Sequence, residues 1–339
     1  MSHDIVKGKD QVVLHQKRAW HGLGIVVEDA PTPREALSIC GLDSGVEQRP
    51  LLAQLPDGTT IEVPTHVANY HSNTGAFFGI VGANYQVITN GEMADFCEAL
   101  GEDHVVHCET AGSIQGGKKV WFLLKGEAFE VANNDEIFPY ILVSNGHDGM
   151  ASFRVTPTTV RTVCKNTLQM VVDFDADTGK LDKSSWVMRH TSNVLERVNE
   201  ARESLKRYNH SLEVTKNVIG VLAAKDVNTE QVQQFFLECY TSDWGEIPTN
   251  PQNKVEENRR NRGQNAMSLF SKRFDDEREV AGTSMWNCFN AMSGLLQHDR
   301  KARGADDSDR VEKRVDSNLF GLNAWRTSRA FDRAYVLAQ

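Results

Sequence analysis

The sequence predicts an α+β protein, with an antiparallel β-sheet of hairpins in the N-terminal half and a mainly helical C-terminal half. Three observations carry that expectation. Residues 105–114 and 118–124 read as alternating strands around Gln115-Gly116-Gly117, the pattern of a tight hairpin. Residues 137–144 and 152–160 do the same around a longer polar turn, Asn145-Gly146-His147-Asp148-Gly149. From residue 184 onward the apolar positions change to steps of three and four, the period of a helix.

The elements follow in order. Thr32-Pro33-Arg34-Glu35 offers a capping hydroxyl, a proline at the first helical position and a glutamate that reaches back. A short helix therefore starts there and stops near Gly41. Strands over 46–54 and 60–70 flank the turn Pro56-Asp57-Gly58. Residues 77–88 read as a further strand, and Asn90 as the cap of a helix over 91–100 that Gly101 ends. Beyond the hairpins, Val187, Thr191, Val194, Val198, Ala201, Leu205 and Tyr208 form a heptad-like seam on a helix over 184–208. That helix packs on the sheet or, in the other reading, joins copies of the chain into a homo-oligomer. Helices over 212–224, 229–241, 253–272, 284–297 and 322–337 complete the second half, with a break at 241–251 set by Pro248 and Pro251 and a charged loop over 298–310. The expected division is a tail over 1–19, a sheet domain over 20–175 and a helical region over 176–339 packed on the sheet.

The composition, 40% hydrophobic and 24% charged over 339 residues, suits a globular chain that buries a core without disulfide or metal staples. No apolar run approaches the roughly 18 to 20 residues that span a bilayer, and the first residues carry charges in place of a signal peptide's apolar stretch. The expectation is a cytoplasmic protein with no membrane partner. Cys40, Cys97, Cys108, Cys164, Cys239 and Cys288 are scattered without a C-x-x-C pair, so they predict isolated thiols and no structural zinc site. The net charge of −9 is uneven, because residues 1–180 carry 13 Lys and Arg against 23 Asp and Glu, and the remainder 24 against 23. A nucleic-acid contact would need a local basic groove or a metal ion, since the overall charge repels a polyanion.

The densest polar constellation lies over 144–167, with Asn145, His147, Asp148, Arg154, Arg161, Cys164 and Asn166; Arg189 and His190 follow. His147-Asp148 is an acid/base or metal-binding pair, or else a turn that Asp148 closes while His147 faces solvent. Cys164 is a nucleophile if His147 or His190 serves as its base, and otherwise a core thiol. Arg161 fits phosphate with its guanidinium fork, or holds a structural ion pair. An enzyme built from His147, Asp148, Arg161, Cys164 and His190 would act on a phosphate-containing or nucleotide substrate, with a divalent cation such as magnesium as its cofactor. Gly116-Gly117-Lys118-Lys119 opens a strand and not a helix, so it is a hairpin turn with exposed lysines and not a P-loop. Arg259-Arg260-Asn261-Arg262, followed by Lys272 and Arg273, is the strongest basic cluster, and Asn258, Gln264 and Asn265 suit sugar-phosphate contacts. Its other reading is a solvated helix face offset by Glu256, Glu257 and Asp275. Phe77, Phe78, Tyr85, Trp121 and Phe122 are stacking platforms for bases, or core.

An ordered set of short motifs supports a family statement. They are Trp20-His21-Gly22-Leu23-Gly24, Tyr85-Gln86-Val87-Ile88-Thr89-Asn90, Glu109-Thr110-Ala111-Gly112, Gly116-Gly117-Lys118-Lys119-Val120-Trp121, Asn145-Gly146-His147-Asp148-Gly149, Arg161-Thr162-Val163-Cys164-Lys165-Asn166-Thr167 and Arg189-His190-Thr191. In this order the chain resembles the phage/plasmid-like proteins that share a large domain of unknown function. The resemblance implies a mobile-element setting and, by association, DNA metabolism. The layout is also similar to the core of phage single-strand annealing proteins, which hold single-stranded DNA in a basic groove. The leading expectation is a nucleic-acid-binding protein, a single-strand annealing or recombination accessory factor, with Lys118, Lys119, Arg161, Arg259, Arg260 and Arg262 on phosphates. The enzyme and a non-catalytic assembly protein are the alternatives.

Overall fold

Three successive residues, Gln115, Gly116 and Gly117, hold φ of 55°, 67° and 83°. Two of the three are glycines, for which this left-handed region carries no Cβ penalty, so the chain reverses here. The computed structural model describes residues 12–15, 25–103, 106–131, 135–161, 167–175, 180–183, 185–191, 201–299 and 304–339. The chain runs β1 (Val12–His15), β2 (Ile25–Val27), α1 (Pro33–Ile39), β3 (Val46–Gln54), β4 (Thr60–His71), β5 (Phe77–Gly82) and α2 (Asn90–Asp103). The hairpin strands follow as β6 (His107–Ile114), β7 (Lys119–Lys125), β8 (Phe129–Val131), β9 (Asp135–Gly146) and β10 (Phe153–Arg161). Short strands β11 (Thr167–Gln169), β12 (Val171–Asp175), β13 (Lys180–Lys183) and β14 (Trp186–Met188) lead to the helices. These are α3 (Ala201–Ala224), α4 (Thr229–Trp244), α5 (Lys254–Asp276), α6 (Arg278–Ala281) and α7 (Met285–Gly294), then a π-helical turn over Leu295–Asp299, α8 (Asp307–Leu319) and α9 (Leu322–Ala338).

The α+β expectation is met. The main sheet has the order β11-β10-β9-β7-β6-β1-β2, with β14 also on β10 and β8 on β9; β3-β4-β5 and β12-β13 form two smaller sheets. All these pairings are antiparallel except β1 with β2. The two-residue period of the strands sorts the side chains. Val120, Phe122 and Leu124 of β7, Ile141 and Val143 of β9, and Phe153 and Val155 of β10 share one core with Leu37 of α1 and Met93, Phe96 and Leu100 of α2. On the opposite face Trp121 and Leu142 meet Leu319 and Phe320 at the end of α8. A second core joins α3, α4, α5, α7 and α9 around Phe235, Phe270, Phe289 and Phe331 and reaches the sheets through Ile137, Leu168, Val171 and Leu181. No helix among the described residues is long and apolar enough to cross a membrane.

Both helix starts of the N-terminal half are built by side chains. Thr32 Oγ1 accepts from Glu35 N at 3.2 Å while Glu35 Oε2 accepts from Thr32 N at 2.8 Å, as expected. At α2 the cap is Thr89 and not Asn90. Glu92 N donates to Thr89 Oγ1 at 3.2 Å and Thr89 N to Glu92 Oε2 at 2.7 Å, which releases Asn90 for another task. Thr89→Ala should lower stability by about 1 kcal/mol and Thr89→Ser should be close to neutral, read as shifts in the urea midpoint.

Other elements differ from the sequence reading. The seam over 184–208 is not one helix. Trp186–Met188 form β14, with Val187 opposite Arg154 of β10, and the described helix begins at Ala201 and continues unbroken to Ala224. The cause is tertiary. Trp186 lies 6.1 Å from Phe96 and 6.4 Å from Phe153, ring to ring, and extended backbone delivers it there. Val187, assigned to the seam, is left 40% exposed. The strand expected over 77–88 ends at Gly82. The charged stretch over 298–310 is not all loop, because Asp306 caps α8 through Asp309 N and the acidic first turn suits a helix N-terminus. Val12–His15, inside the expected tail, form a strand, and the main sheet takes β14 from beyond residue 175.

Candidate functional site

The turn between β9 and β10 carries His147 into the interior, not into solvent. His147 is 1% exposed. Its backbone is held on both sides, since His147 N donates to Lys118 O at 2.7 Å and Asn69 Nδ2 donates to His147 O at 2.8 Å. Its ring stacks on Phe78 with centroids 5.7 Å apart. Nε2 lies 2.9 Å from Asn90 Oδ1. Asn90 Nδ2 donates to Leu42 O at 2.9 Å, so the Asn90 oxygen is the acceptor and His147 Nε2 carries the proton. Nδ1 then presents a lone pair with no hydrogen-bond donor among the described residues. Burial first, then His190 and His71, lower the pKa of this ring to about 4, so it is neutral at pH 7.

His190 stands beside it. Tyr85 stacks on the His190 ring at 4.4 Å and donates its hydroxyl to Gly146 O at 2.9 Å. His190 Nδ1 is 3.0 Å from Gln86 O, a carbonyl, and must therefore be the protonated nitrogen. The Ala151 carbonyl also favours the charged ring, but only the Gln86 contact has hydrogen-bond geometry. Burial outweighs both and lowers the His190 pKa. Asn145 donates to Ile88 O at 2.9 Å. Asp148 accepts from Met150 N at 2.8 Å and closes the turn. The structure thus gathers Tyr85, Asn90, Asn145, His147 and His190 into one buried polar cluster that ties β9 and β10 to α2 and to the β3–β5 sheet. At 1% exposure the His147 imidazole is enclosed by these contacts.

The other candidates lie elsewhere. Arg161 pairs with Ile137 at the far end of the β9–β10 ladder. Ten residues of strand separate Ile137 from His147, which is about 30 Å. A single site holding His147 and Arg161 is therefore not formed. Cys164 and Asn166 lie outside the described residues, and Arg189 is exposed. Cys40, Cys97, Cys108, Cys239 and Cys288 are free thiols. Burial pushes Cys97 and Cys239 well up and Cys108 and Cys288 to about 12, so none of these four is a thiolate at neutral pH. Among the described residues no group of three or more His, Cys, Asp or Glu is arranged to hold a metal ion.

The basic residues are also divided. Lys119 lies 2.7 Å from Asp316 of α8 and over the Phe320 ring at 4.7 Å, so its charge is already matched. Lys118 is half-buried at the β6–β7 turn. Arg259 and Arg262 are exposed on α5, and Arg262 Nε donates to Asn258 O at 3.3 Å. Arg260 is half-buried beside Glu257, whose carboxyl is held below its usual range by Lys254 first and also by Arg260. Lys272, further along α5, is exposed. Arg259, Arg262 and Lys272 have no ion pair among the described residues, whereas Lys254 pairs with Glu257 and Arg273 with Asp299.

Asn69, Phe78 and Asn90 contact His147 and are partners that the sequence reading lacks, and Tyr85 joins the cluster through His190 and Gly146. The pattern Thr89-x-x-Glu92 was the available signal for Asn90, because it assigns the cap to Thr89 and leaves a buried amide in need of a partner. No curated protein and no solved structure matches the chain. Residues 77–319, from β5 to the end of α8, match the family model described as a domain of unknown function (DUF932), and the chain belongs to that family.

Proposed function

We propose that this is a nucleic-acid-binding protein of a phage or plasmid, a single-strand annealing or recombination accessory factor acting in the host cytoplasm, and that α5 is its contact surface. The supporting observation is that Arg259, Arg262 and Lys272 are exposed on α5 without an ion pair among the described residues, whereas Lys254 and Arg273 of the same helix are held by Glu257 and Asp299. Thirteen residues of helix set these three about 20 Å apart end to end. Asn258 and Asn265, also exposed, share the face and suit sugar and phosphate oxygens. Such a stripe offsets the chain's net charge of −9 locally, which is what a polyanion requires. Lys119 has no place in the surface, because Asp316 holds it.

Fluorescence anisotropy of a labelled single-stranded oligonucleotide tests the reading, at two salt concentrations, with and without magnesium. Binding should weaken with salt. Arg259→Ala/Arg262→Ala/Lys272→Ala should weaken it at least about tenfold and lower the salt slope by about 2, because each lost phosphate contact on a single strand removes about 0.7. No binding under any condition, or equal binding by the triple variant, would sink the proposal.

A further inference from the structure

The outer face of the main sheet is only partly covered. Beyond the contact of Leu319 and Phe320 with Trp121 and Leu142, the sheet and the start of α9 diverge and leave a groove of about 530 Å³. That volume falls in the range of small-molecule sites. Its floor is β10, where Arg154 and Thr156 point away from the core that holds Phe153 and Val155. Its far wall is α9, with Trp325.

Three features define the ligand chemistry. No Asp or Glu among the described residues lines the groove, although the chain as a whole carries 46 of them. An anion therefore meets no repelling carboxylate on the groove's surface. Second, Arg154 is exposed in the groove and its guanidinium has no partner among the described residues, while the other cation there, Lys119, is matched by Asp316. An unpaired guanidinium fork is the side chain best shaped to take two oxygens of a phosphate. Beside it Thr156 Oγ1 lies 3.0 Å from Ser185 Oγ, which accepts from Gln169 Nε2 at 2.8 Å, a short polar chain suited to sugar hydroxyls. Third, Trp325 is 51% exposed. The guanidinium of Arg329, which belongs to a separate cavity on the other side of α9, covers the indole at 4.6 Å. The residue stays half exposed with that guanidinium in place, and an exposed indole at the rim of a polar groove is a stacking surface.

We propose that this groove binds a mononucleotide, with the phosphate on Arg154, the ribose along Thr156, Ser185 and Gln169, and the base against Trp325. The site shares no residue with the α5 surface, so the two readings stand or fall separately.

Isothermal titration calorimetry of the full chain with AMP, CMP, ribose 5-phosphate and inorganic phosphate tests it, with Arg154→Gln and Trp325→Ala alongside. Both substituted side chains are exposed, and circular dichroism checks that each variant is folded. The mononucleotides should bind more tightly than ribose 5-phosphate. Arg154→Gln should weaken every phosphate-bearing probe, about tenfold for the nucleotides. Trp325→Ala should weaken the nucleotides about tenfold and leave ribose 5-phosphate unchanged. Absence of nucleotide binding, binding that neither variant alters, or equal affinity for ribose 5-phosphate would overturn the assignment. The Arg259→Ala/Arg262→Ala/Lys272→Ala variant should bind mononucleotides as the parent does; loss of binding there would place the anion on α5 and likewise overturn it.

Discussion

Alanine at position 79 should destabilise the protein by about 3 kcal/mol or more and reduce its soluble yield, whereas alanine at position 82, on the same strand, should be neutral or stabilising by up to about 1 kcal/mol. A Cβ on Gly79 would lie 2.5 Å from Asp148 O, 2.9 Å from Asp148 Cα and 3.0 Å from Asp148 C. All three are backbone atoms, so no rotamer change relieves the clash, and strand β5 must move away from the turn. That movement propagates. Gly79 is paired with Asn69 across β4 and β5, and Asn69 donates to His147 O at 2.8 Å. Phe78, the preceding residue, stacks on the His147 ring. A Cβ on Gly82 meets nothing within 4 Å, so that substitution mainly reduces the freedom of the unfolded chain. Urea midpoints of the two variants give the comparison. Equal midpoints would show that β5 and the turn are not in contact.

The parts of the fold that were legible in the sequence are those fixed by local chemistry. The glycine pair at 116–117, the Thr32 and Glu35 capping box and the Pro56-Asp57-Gly58 turn each set a backbone conformation within a few residues, and their hairpins and helix form where expected. Elements decided by distant packing were not legible. Trp186-Val187-Met188 fits a helical period by spacing alone, and what makes it a strand is the aromatic pair Phe96 and Phe153, far away in sequence. Likewise the aspartates before α8 read as loop by composition, although the same residues satisfy a helix N-terminus.

The polar cluster divides along the same line. Sequence proximity gathered His147, Asp148, Arg161 and Cys164 into one constellation. A β-strand rises about 3.3 Å per residue, so residues at the two ends of a hairpin's ladder are far apart however close their numbers. Side chains from separate elements, Asn69 of β4, Phe78 of β5 and Asn90 of α2, complete the surroundings of His147 instead. Their contributions are hydrogen bonds and ring contacts across three elements, for which a single sequence has no periodic signature.

The burial of His147 gives the protein a sensitivity to acid that one substitution should remove. The folded ring has a pKa of about 4 against the ordinary 6.5. Between these two values the unfolded chain binds a proton that the folded chain refuses, so stability is full above pH 6.5 and falls as the pH drops towards 4. The share lost to His147 at pH 5 is about 2 kcal/mol. The groups that face the ring do not reverse the sign. His190 is itself shifted down by burial, and His71 gives Nε2 to Ser44 Oγ at 3.0 Å while its Nδ1 accepts from Asn73 N and Thr74 N at 3.3 Å. Asp148, the nearest carboxylate in sequence, is turned to Met150 N. Urea unfolding at pH 7.5 and pH 5 measures the loss in the parent and in His147→Gln. The variant should be less stable at pH 7.5, since Asn90, Phe78 and Lys118 all pack against the imidazole or its backbone, yet it should lose about 2 kcal/mol less than the parent on going to pH 5. A parallel loss in both proteins would mean that His147 takes up its proton within the fold, and the imidazole would then be within reach of solvent and of a substrate.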